Sequence, residues 1–225
     1  MIDIHSHILY GMDDGAETID DSVKMAEVYQ ELGFKKVYCS PHVMNFYYDN
    51  AKAAITEKCT KLQVELQARG LNLELVPFGE IYLDETVLPK LKEKVLPTIR
   101  GRVLVEGPFN EWPFYIEEIL FKIKTFGLAP IMAHPERNRE LQKDKGKLKS
   151  LKEEGCLLQG NISNMVGAYG SAAQKCFEVL LKDDLYDYLA TDMHSWQHKQ
   201  MYQEALDKTV DLIGQENVLA LFGDV

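Results

Sequence analysis

Seven short apolar runs along the chain each end on a residue that can bind a metal ion or a phosphate group. Five of the six histidines stand at such ends. In a parallel α/β protein the carboxyl ends of the strands meet at one edge, so the pattern predicts one polynuclear metal site there. The residues at these ends are His5 with His7, His42, Glu80, Glu106, His134, Asn161, and Asp192 with His194.

The seven runs have the length and composition of β-strands. They are rich in β-branched and aromatic residues, and stretches with helical spacing separate them. Successive ends lie about 26 to 38 residues apart, the length that one strand and one crossover helix occupy. We therefore predict an α/β fold, a distorted seven-stranded TIM-like barrel, in preference to an open doubly wound sheet. After the N-terminal run, the predicted strands are residues 36–39, 73–76, 103–105, 129–132, 155–158 and 188–190.

Glycines and charges predict where the helices lie. The first helix is predicted from about Asp21 to Leu32, with acidic residues in its first turn, where the helix dipole favours them. Segment 143–154 is rich in Lys and Glu, which predicts a helix with a solvated face. Four glycines fall between a helical stretch and the next strand, where a left-handed helix cap suits glycine. They are Gly33, Gly70, Gly127 and Gly155.

Length and composition predict a single domain spanning residues 1–225. With 46% hydrophobic residues, the chain can bury one sizeable core. The formal charge of −10, without a basic stripe, argues against nucleic-acid binding. No apolar run approaches the roughly 18 residues of a membrane span, and the N-terminus lacks the pattern of a signal peptide. We predict a cytoplasmic protein whose four cysteines, which lack C-x-x-C spacing, are reduced.

The first run places two imidazoles together. Because side chains alternate between the two faces of a strand, we expect Asp3, His5 and His7 on one side. Ile2 and Ile4 are expected on the other side. The two histidines would then converge on one metal ion.

Each site residue, taken alone, also has an ordinary structural explanation. A pair such as His5 and His7 in a strand is more often surface, and Glu106 suits a salt bridge at the rim. Asp14 suits a turn, and His134 suits a buried histidine whose hydrogen bonds are satisfied. These explanations must hold at seven strand ends at once, so the joint pattern favours the metal site. Motifs of other hydrolases, including G-x-x-x-x-G-K-[ST], G-x-S-x-G and H-E-x-x-H, are missing.

Several motifs in combination resemble one known family. They are Met1 to Leu9 with its two histidines, Asp13-Asp14-Gly15, Pro41-His42, Ala133-His134-Pro135-Glu136-Arg137 and Asp192-Met193-His194. This set resembles the polymerase and histidinol phosphatase (PHP) superfamily. Within it, the set is most similar to the metal-dependent tyrosine phosphatases of bacterial capsular and exopolysaccharide operons, and the similarity extends over nearly the whole chain.

The resemblance implies a site for three divalent metal ions. Manganese is the favoured metal, and iron or zinc also suits mixed nitrogen and oxygen ligands. Arg137 would bind the phosphate with its planar fork of donors, and His42 or His194 would be the general acid. By the same resemblance, the ligands are His5, His7, Glu80 and Asp192 for one ion, Glu80, Glu106 and His134 for a second, and Asp14, His42 and His194 for a third.

The resemblance also implies a substrate, phosphotyrosine on the tail of a bacterial tyrosine kinase. Two alternatives stay open. One is a PHP phosphatase for a small metabolite such as histidinol phosphate, and the other is a metal-binding regulator that docks the kinase without hydrolysis. The sequence does not indicate an oligomeric state.

The chain departs from the family pattern near its last metal-binding histidine. An arginine is expected shortly after His194, whereas the chain offers only His198 and Lys199. A lysine supplies charge without the bidentate geometry of arginine. The aromatic loop 46–48 after His42 either stacks on a substrate ring or is simply exposed.

Overall fold

A computed structural model describes residues 1–225 and contains nine strands and eight helices. The strands are β1 (Ile2–Ser6), β2 (Lys36–Cys39), β3 (His42–Val43), β4 (Glu74–Pro77), β5 (Glu80–Tyr82), β6 (Arg102–Glu106), β7 (Ala129–Ala133), β8 (Leu157–Asn161) and β9 (Tyr188–Ala190). The helices are α1 (Ile19–Glu31), α2 (Lys52–Ala68), α3 (Val87–Lys92), α4 (Phe114–Thr125), α5 (Lys145–Glu153), α6 (Ser171–Lys182), α7 (Lys199–Ile213) and α8 (Gln215–Leu221).

All the strand pairs are parallel, which confirms the predicted α/β class. One sheet has the order β1-β2-β4, and the other has the order β3-β5-β6-β7-β8-β9. The predicted strands 36–39 and 73–76 correspond to β2 and β4, and each is followed by a further short strand, β3 or β5, that was not predicted. Backbone pairing continues from β2 and β4 to β3 and β5, because Phe78 N donates to Cys39 O at 2.9 Å and Glu80 N donates to Pro41 O at 3.1 Å.

The last strand returns to the first. Asp192 N donates to His5 O at 3.1 Å, and His7 N donates to Met193 O at 3.0 Å. A parallel bridge also pairs Ser6 with Met193. These contacts bring the N-terminal segment that contains His5 and His7 next to the C-terminal segment that contains Asp192.

The apolar side chains form two cores. The larger, of 51 buried residues, combines strand residues such as Val105 with helix residues such as Ile116. The smaller, of nine, is drawn mainly from the strands and includes Ile4 and Leu104. Since strand side chains alternate, Glu106 lies on the same side as Leu104, one step nearer the carboxyl end. We call the nine-residue cluster the inner core. It ends where the polar residues at the strand ends begin.

Strict alternation in the first strand is wrong. The register between β1 and β2 shifts between Asp3 and Ser6, which marks a bulge or irregularity. Ile4 packs in the inner core with Ile2 against it, as predicted for one shared side, whereas Asp3 accepts hydrogen bonds from the backbone N and the hydroxyl of Thr191. His5 still faces the same way as His7. The irregularity re-aims the histidine without disturbing the pairing at either end of the strand.

Helix and glycine predictions are largely confirmed. Helix α1 begins earlier than predicted because Thr18 caps it, accepting a hydrogen bond from Asp21 N at 3.2 Å. The four predicted cap glycines all have φ between 76° and 87°. Strand β8 starts later than predicted, since Gly155 with φ of 87° ends the preceding helical segment. None of the helices has the length and apolar character required to cross a membrane.

The inner core predicts a large effect of cavity formation. Ile131 lies in β7 with no exposed surface, so Ile131→Ala should lower the free energy of unfolding by about 2–5 kcal/mol. Val64, on α2, is 62% exposed, and Val64→Ala should change that free energy by less than about 0.5 kcal/mol. Urea unfolding followed by circular dichroism measures both. Equal effects of the two substitutions would contradict the assigned core.

Candidate metal centre

The structure brings all nine predicted ligands together at one end of the parallel strands, where His42 and Glu80 are the first residues of the short strands β3 and β5. Strands β1, β3, β5 and β6 or the residues directly after them supply five, the residues after β7 and β9 supply three, and the loop between β1 and α1 supplies one. Donor atoms in overlapping groups of three or four lie within 4.8 Å of one another. The nine are His5, His7, Asp14, His42, Glu80, Glu106, His134, Asp192 and His194.

Four donor atoms form the innermost group. His5 Nε2 lies 3.2 Å from His7 Nε2, 3.2 Å from Glu80 Oε2 and 3.3 Å from Asp192 Oδ1. His7 Nε2 lies 3.5 Å from the same Glu80 oxygen and 3.1 Å from the Asp192 oxygen. A tetrahedron with metal–ligand bonds of about 2.0 Å has edges of about 3.3 Å. Five of the six distances among these atoms, from 3.1 to 3.5 Å, are therefore close to the edges of a tetrahedral metal site.

Two of these four atoms are otherwise unsatisfied. Glu80 Oε2 and Asp192 Oδ1 are buried and accept no well-aligned hydrogen bond, although His42 Nδ1 lies 2.9 Å from Glu80 Oε2. Leaving a buried carboxylate oxygen unpaired is costly unless a cation binds it. The donor set thus fits a divalent metal ion, both by its spacing and by its unpaired acceptors.

Glu80 joins the innermost group to a second one. Its other oxygen, Oε1, lies 2.9 Å from His134 Nε2, which is 3.6 Å from Glu106 Oε1. The two oxygens of one buried carboxylate therefore face different histidines. Such a carboxylate can bridge two neighbouring cations.

Asp14 lies at the centre of a third group. Its Oδ1 is 3.5 Å from both His42 Nε2 and His194 Nε2. The segment around Asp14 is also a tight turn, because a Cβ at Gly15 would lie only 2.1 Å from His7 O. The segment therefore forms the turn that the sequence suggested, and the turn also places Asp14 beside the other donor residues.

Left-handed backbone aims two of the donors. His134 has φ 33° and ψ 54°, and Asp192 has φ 53°, values that non-glycine residues rarely adopt. Such a conformation costs about 1–3 kcal/mol and persists where surrounding contacts hold it. His134 N donates to Gln159 O at 2.7 Å, and Asp192 N donates to His5 O. In this conformation the His134 side chain lies beside Glu80, and the Asp192 side chain lies beside His5 and His7.

Side chains that the sequence reasoning missed orient the ligands. His7 Nδ1 lies 2.7 Å from Asp13 Oδ2, and His5 Nδ1 lies 2.9 Å from Gln159 Oε1. Partners of this kind fix the tautomer and orientation of a ligating imidazole. Gln159 had one usable signal, since it stands two residues before Asn161 in the same strand.

Asn161 contacts a ligand. Its Nδ2 donates to Asp192 Oδ2 at 2.6 Å, and its Oδ1 accepts from Gln159 Nε2 at 2.9 Å. This amide chain links the His5 ring to the Asp192 carboxylate. Asn161 was singled out as a strand-end residue that can bind a metal or a phosphate, and its contacts are those of a supporting residue.

The charged groups of the site compete for protons. Burial lowers the pKa of His5, but nearby carboxylates, Glu80 first, outweigh it and raise that pKa to about 10. Burial and the neighbouring Glu80 raise the pKa of Glu106 to about 8. Burial and the Arg137 cation lower the pKa of His134 to about 4. Since metal ligands must be deprotonated, cations and protons would compete for these positions.

An open cavity of about 610 Å³ lies over the ligands and is lined by Arg137. The guanidinium carbon of Arg137 lies 4.4 Å from the ring centre of Phe109 and 4.0 Å from that of Tyr169. Its Nη1 lies 3.3 Å from Asp192 Oδ2. Two aromatic faces thus hold the planar fork beside the ligand group.

The two residues that replace the expected arginine are placed differently. His198 lines the cavity. Lys199 pairs with Glu31 on α1 and is not part of the cavity lining. In the aromatic loop only Tyr48 lines the cavity, stacked on His42 with ring centres 5.6 Å apart, while Phe46 is 94% exposed.

A parallel α/β scaffold that collects nine potential metal ligands at one end of its strands is the arrangement of a metal-dependent protein. The chain belongs to the family described as capsular polysaccharide synthesis, CpsB/CapC, whose model matches residues 1–224. It is 32% identical over 209 residues to the tyrosine-protein phosphatase YwqE of Bacillus subtilis, covering 92% of this chain and 82% of that relative. It is 27% identical to the tyrosine-protein phosphatase CpsB of Streptococcus pneumoniae, covering 100% and 96%.

Solved structures agree with this family membership. The fold matches a chain from the crystal structures of YwqE and CpsB, described as unique metal-dependent tyrosine phosphatases, with a TM-score of 0.91 and 32% identity over 98% of this chain and 91% of that chain. Histidinol phosphate phosphatase of Lactococcus lactis, solved with zinc, L-histidinol and phosphate, matches with a TM-score of 0.58 and 12% identity, covering 92% and 93%. The second likeness concerns the fold alone.

The partner of His7 predicts a change in metal affinity. Asp13→Asn removes the charge that orients the His7 ring, and should weaken manganese binding about 10- to 100-fold. Asp49, which is exposed and outside the site, provides the matched control Asp49→Asn. Competition with a fluorescent chelator measures both affinities. Unchanged affinity in Asp13→Asn would contradict the orienting role.

Proposed function

We propose that this chain is a metal-dependent protein-tyrosine phosphatase that hydrolyses phosphotyrosine on a bacterial tyrosine kinase of capsule or exopolysaccharide synthesis. The observation that carries the proposal is the nine-residue donor set lying under an open cavity that also presents Arg137. The names of the YwqE and CpsB relatives support the activity and the substrate class. Family membership supports the link to capsule synthesis.

We propose three divalent ions, most suitably manganese, with iron or zinc as the other metals that the donors suit. When bound, the ions would supply a nucleophilic water at neutral pH and positive charge beside the phosphoryl oxygens. The innermost group would hold one ion, and Glu80 would bridge it to the ion held with Glu106 and His134. The third ion would lie between Asp14, His42 and His194. The unpaired oxygens of Glu80 and Asp192 support this arrangement.

Arg137 would bind the phosphoryl group. Its fork of donors matches two phosphoryl oxygens, and Phe109 and Tyr169 hold the fork in one plane. Charge that develops on those oxygens during phosphoryl transfer is stabilised by donors that are already in place. The same two rings border the cavity, where a tyrosine ring could pack.

The departure of the tyrosine phenolate needs little general acid catalysis. A phenol with a pKa near 10 departs more readily than a serine alkoxide, so a weak general acid suffices. We keep His42 and His194 as the candidate acids, since both border the cavity. His194 Nδ1 lies 2.8 Å from Asp192 O, so Nε2 is the nitrogen that faces the site. His194 Nε2 is also a proposed ligand of the third ion, so it can deliver a proton only while that ion is not bound to it.

We also infer the closed seven-stranded barrel, a single domain over residues 1–225, and a cytoplasmic location. The hydrogen bonds between β1 and the segment after β9 support closure. The inner core contains residues of β1, β2, β6, β7 and β9, which supports one enclosed interior. Four free cysteines, with Cys39 Sγ 3.9 Å from Cys59 Sγ, support a reducing compartment.

Metal removal and replacement test the proposed activity. Chelated protein should lose hydrolysis of p-nitrophenyl phosphate, and manganese should restore it. Glu80→Gln, which removes the bridging charge, should lower kcat by at least about 100-fold even with excess manganese. The exposed Glu85 provides the control Glu85→Gln, which should retain full activity. Full activity of Glu80→Gln, or activity that survives chelation, would refute the mechanism.

The phosphate-binding role has its own test. Arg137→Lys keeps the charge but loses the planar fork, and should lower kcat/KM for a phosphotyrosine peptide by about 100-fold. Arg69→Lys, in an exposed ion pair with Asp20, is the matched control. Steady-state kinetics on histidinol phosphate should give far lower kcat/KM than on the peptide. A preference for histidinol phosphate would instead favour the small-metabolite alternative.

A further inference from the structure

A second groove adjoins the cavity on the side of Arg137. This side groove has a volume of about 400 Å³ and shares Phe109, Arg137 and Tyr169 with the cavity. It adds Arg139 and the start of helix α6 at Ser171. The stacked group of Phe109, Arg137 and Tyr169 therefore borders both spaces, so a peptide whose phosphate lies beside Arg137 has the side groove as its neighbouring surface.

Arg139 carries an unpaired positive charge in this groove. Arg69, Arg100 and Arg137 each form an ion pair with a carboxylate, whereas Arg139, like Arg102 outside the groove, forms none. The neighbouring Glu140 accepts a hydrogen bond from Trp112 N at 3.1 Å. The Arg139 guanidinium is exposed and thus available to a ligand in the groove.

Other features of the side groove also favour a negatively charged ligand. Arg139 N donates to Phe109 O at 2.8 Å, which fixes the backbone of Arg139 to the aromatic rim. Helix α6 begins at the groove, and no side chain caps its first turn. Uncapped N–H groups at a helix start favour an anion. The groove therefore combines a side-chain cation with backbone donors.

The opposite side of the cavity has the opposite charge. A groove of about 440 Å³ there shares Asp14, His194 and His198 with the cavity and adds Glu17 and Asp21. The mouth is thus positive on one side and acidic on the other. A bound peptide would meet a charge gradient along its length.

We propose that the side groove is a subsite for a second anionic group of the phosphotyrosine substrate, which Arg139 binds. The group is a carboxylate or another phosphate on the same peptide. Arg137 and Arg139 are two positions apart, so their Cα atoms are separated by at most about 7 Å. The second anion would therefore lie about one to three residues from the phosphotyrosine. This inference rests on the proposed phosphatase function.

Matched peptides test the subsite. Each contains one phosphotyrosine and, at one of the three positions on either side, Glu, Gln, Lys or a second phosphotyrosine. At the best position, kcat/KM for the Glu peptide should exceed that for the neutral Gln peptide about fivefold, which corresponds to about 1 kcal/mol. A gain confined to the doubly phosphorylated peptide would identify the anion as a phosphate, and a gain with Glu would identify it as a carboxylate.

Charge reversal gives the sharper comparison. Arg139→Glu should abolish the preference for the anionic peptides and favour the Lys peptide instead, while turnover of p-nitrophenyl phosphate changes less than about twofold. Lys143→Glu makes the same change in net charge at an exposed position in the same segment, outside the groove. It should keep the wild-type preference.

The outcomes separate this inference from the function on which it rests. Hydrolysis of p-nitrophenyl phosphate without any preference among the peptides would overturn the subsite alone. A preference that survives Arg139→Glu, or that Lys143→Glu removes equally, would overturn it as well. Metal-loaded wild-type protein that hydrolyses neither substrate would overturn both proposals.

Discussion

The structure depends on the burial of several carboxylates beside histidines at one end of the strands. Glu80 and Asp192 are at most 2% exposed, and each has an oxygen that accepts no well-aligned hydrogen bond. Burying an ionised carboxylate costs several kcal/mol unless positive charge accompanies it. Protons on His5 and His42 supply that charge when no cation is present, as the pKa of about 10 of each imidazole indicates. Divalent cations at the same positions would supply more charge in the same volume.

The fold provides the rigidity that such a site needs. The inner core underlies the ligands, and residues on the same side of a strand change from apolar to charged within two positions, as from Leu104 to Glu106. Hydrogen bonds between β1 and the residues after β9 place His7 beside Asp192. The left-handed conformations of His134 and Asp192 are local costs that these contacts sustain. The conformational cost thus falls on two residues whose side chains belong to the donor group.

The strand positions and the convergence of the strand-end side chains were predictable because they follow simple physical rules, whereas the assignment of these side chains to individual metal ions came from the family resemblance. The period and length of an apolar run identify a strand. A histidine or acidic residue at the end of such a run interrupts the apolar pattern and therefore stands out. Asp13 and Gln159 were not predictable in their roles, because a turn acid and a strand amide have ordinary explanations. The irregularity in β1 was also hidden, since Ile4 and His5 follow normal alternation in the sequence while their register to β2 does not. Such features depend on pairing between distant segments.

The central claim is that the nine strand-end side chains hold divalent cations. Anomalous diffraction from crystals grown with manganese tests it most directly. The account predicts anomalous peaks within about 2.0–2.3 Å of His5 Nε2 and His7 Nε2 and between the two oxygens of Glu80 and their neighbouring histidines. An anomalous map without peaks among these atoms at saturating manganese, or with peaks only elsewhere on the protein, would contradict it.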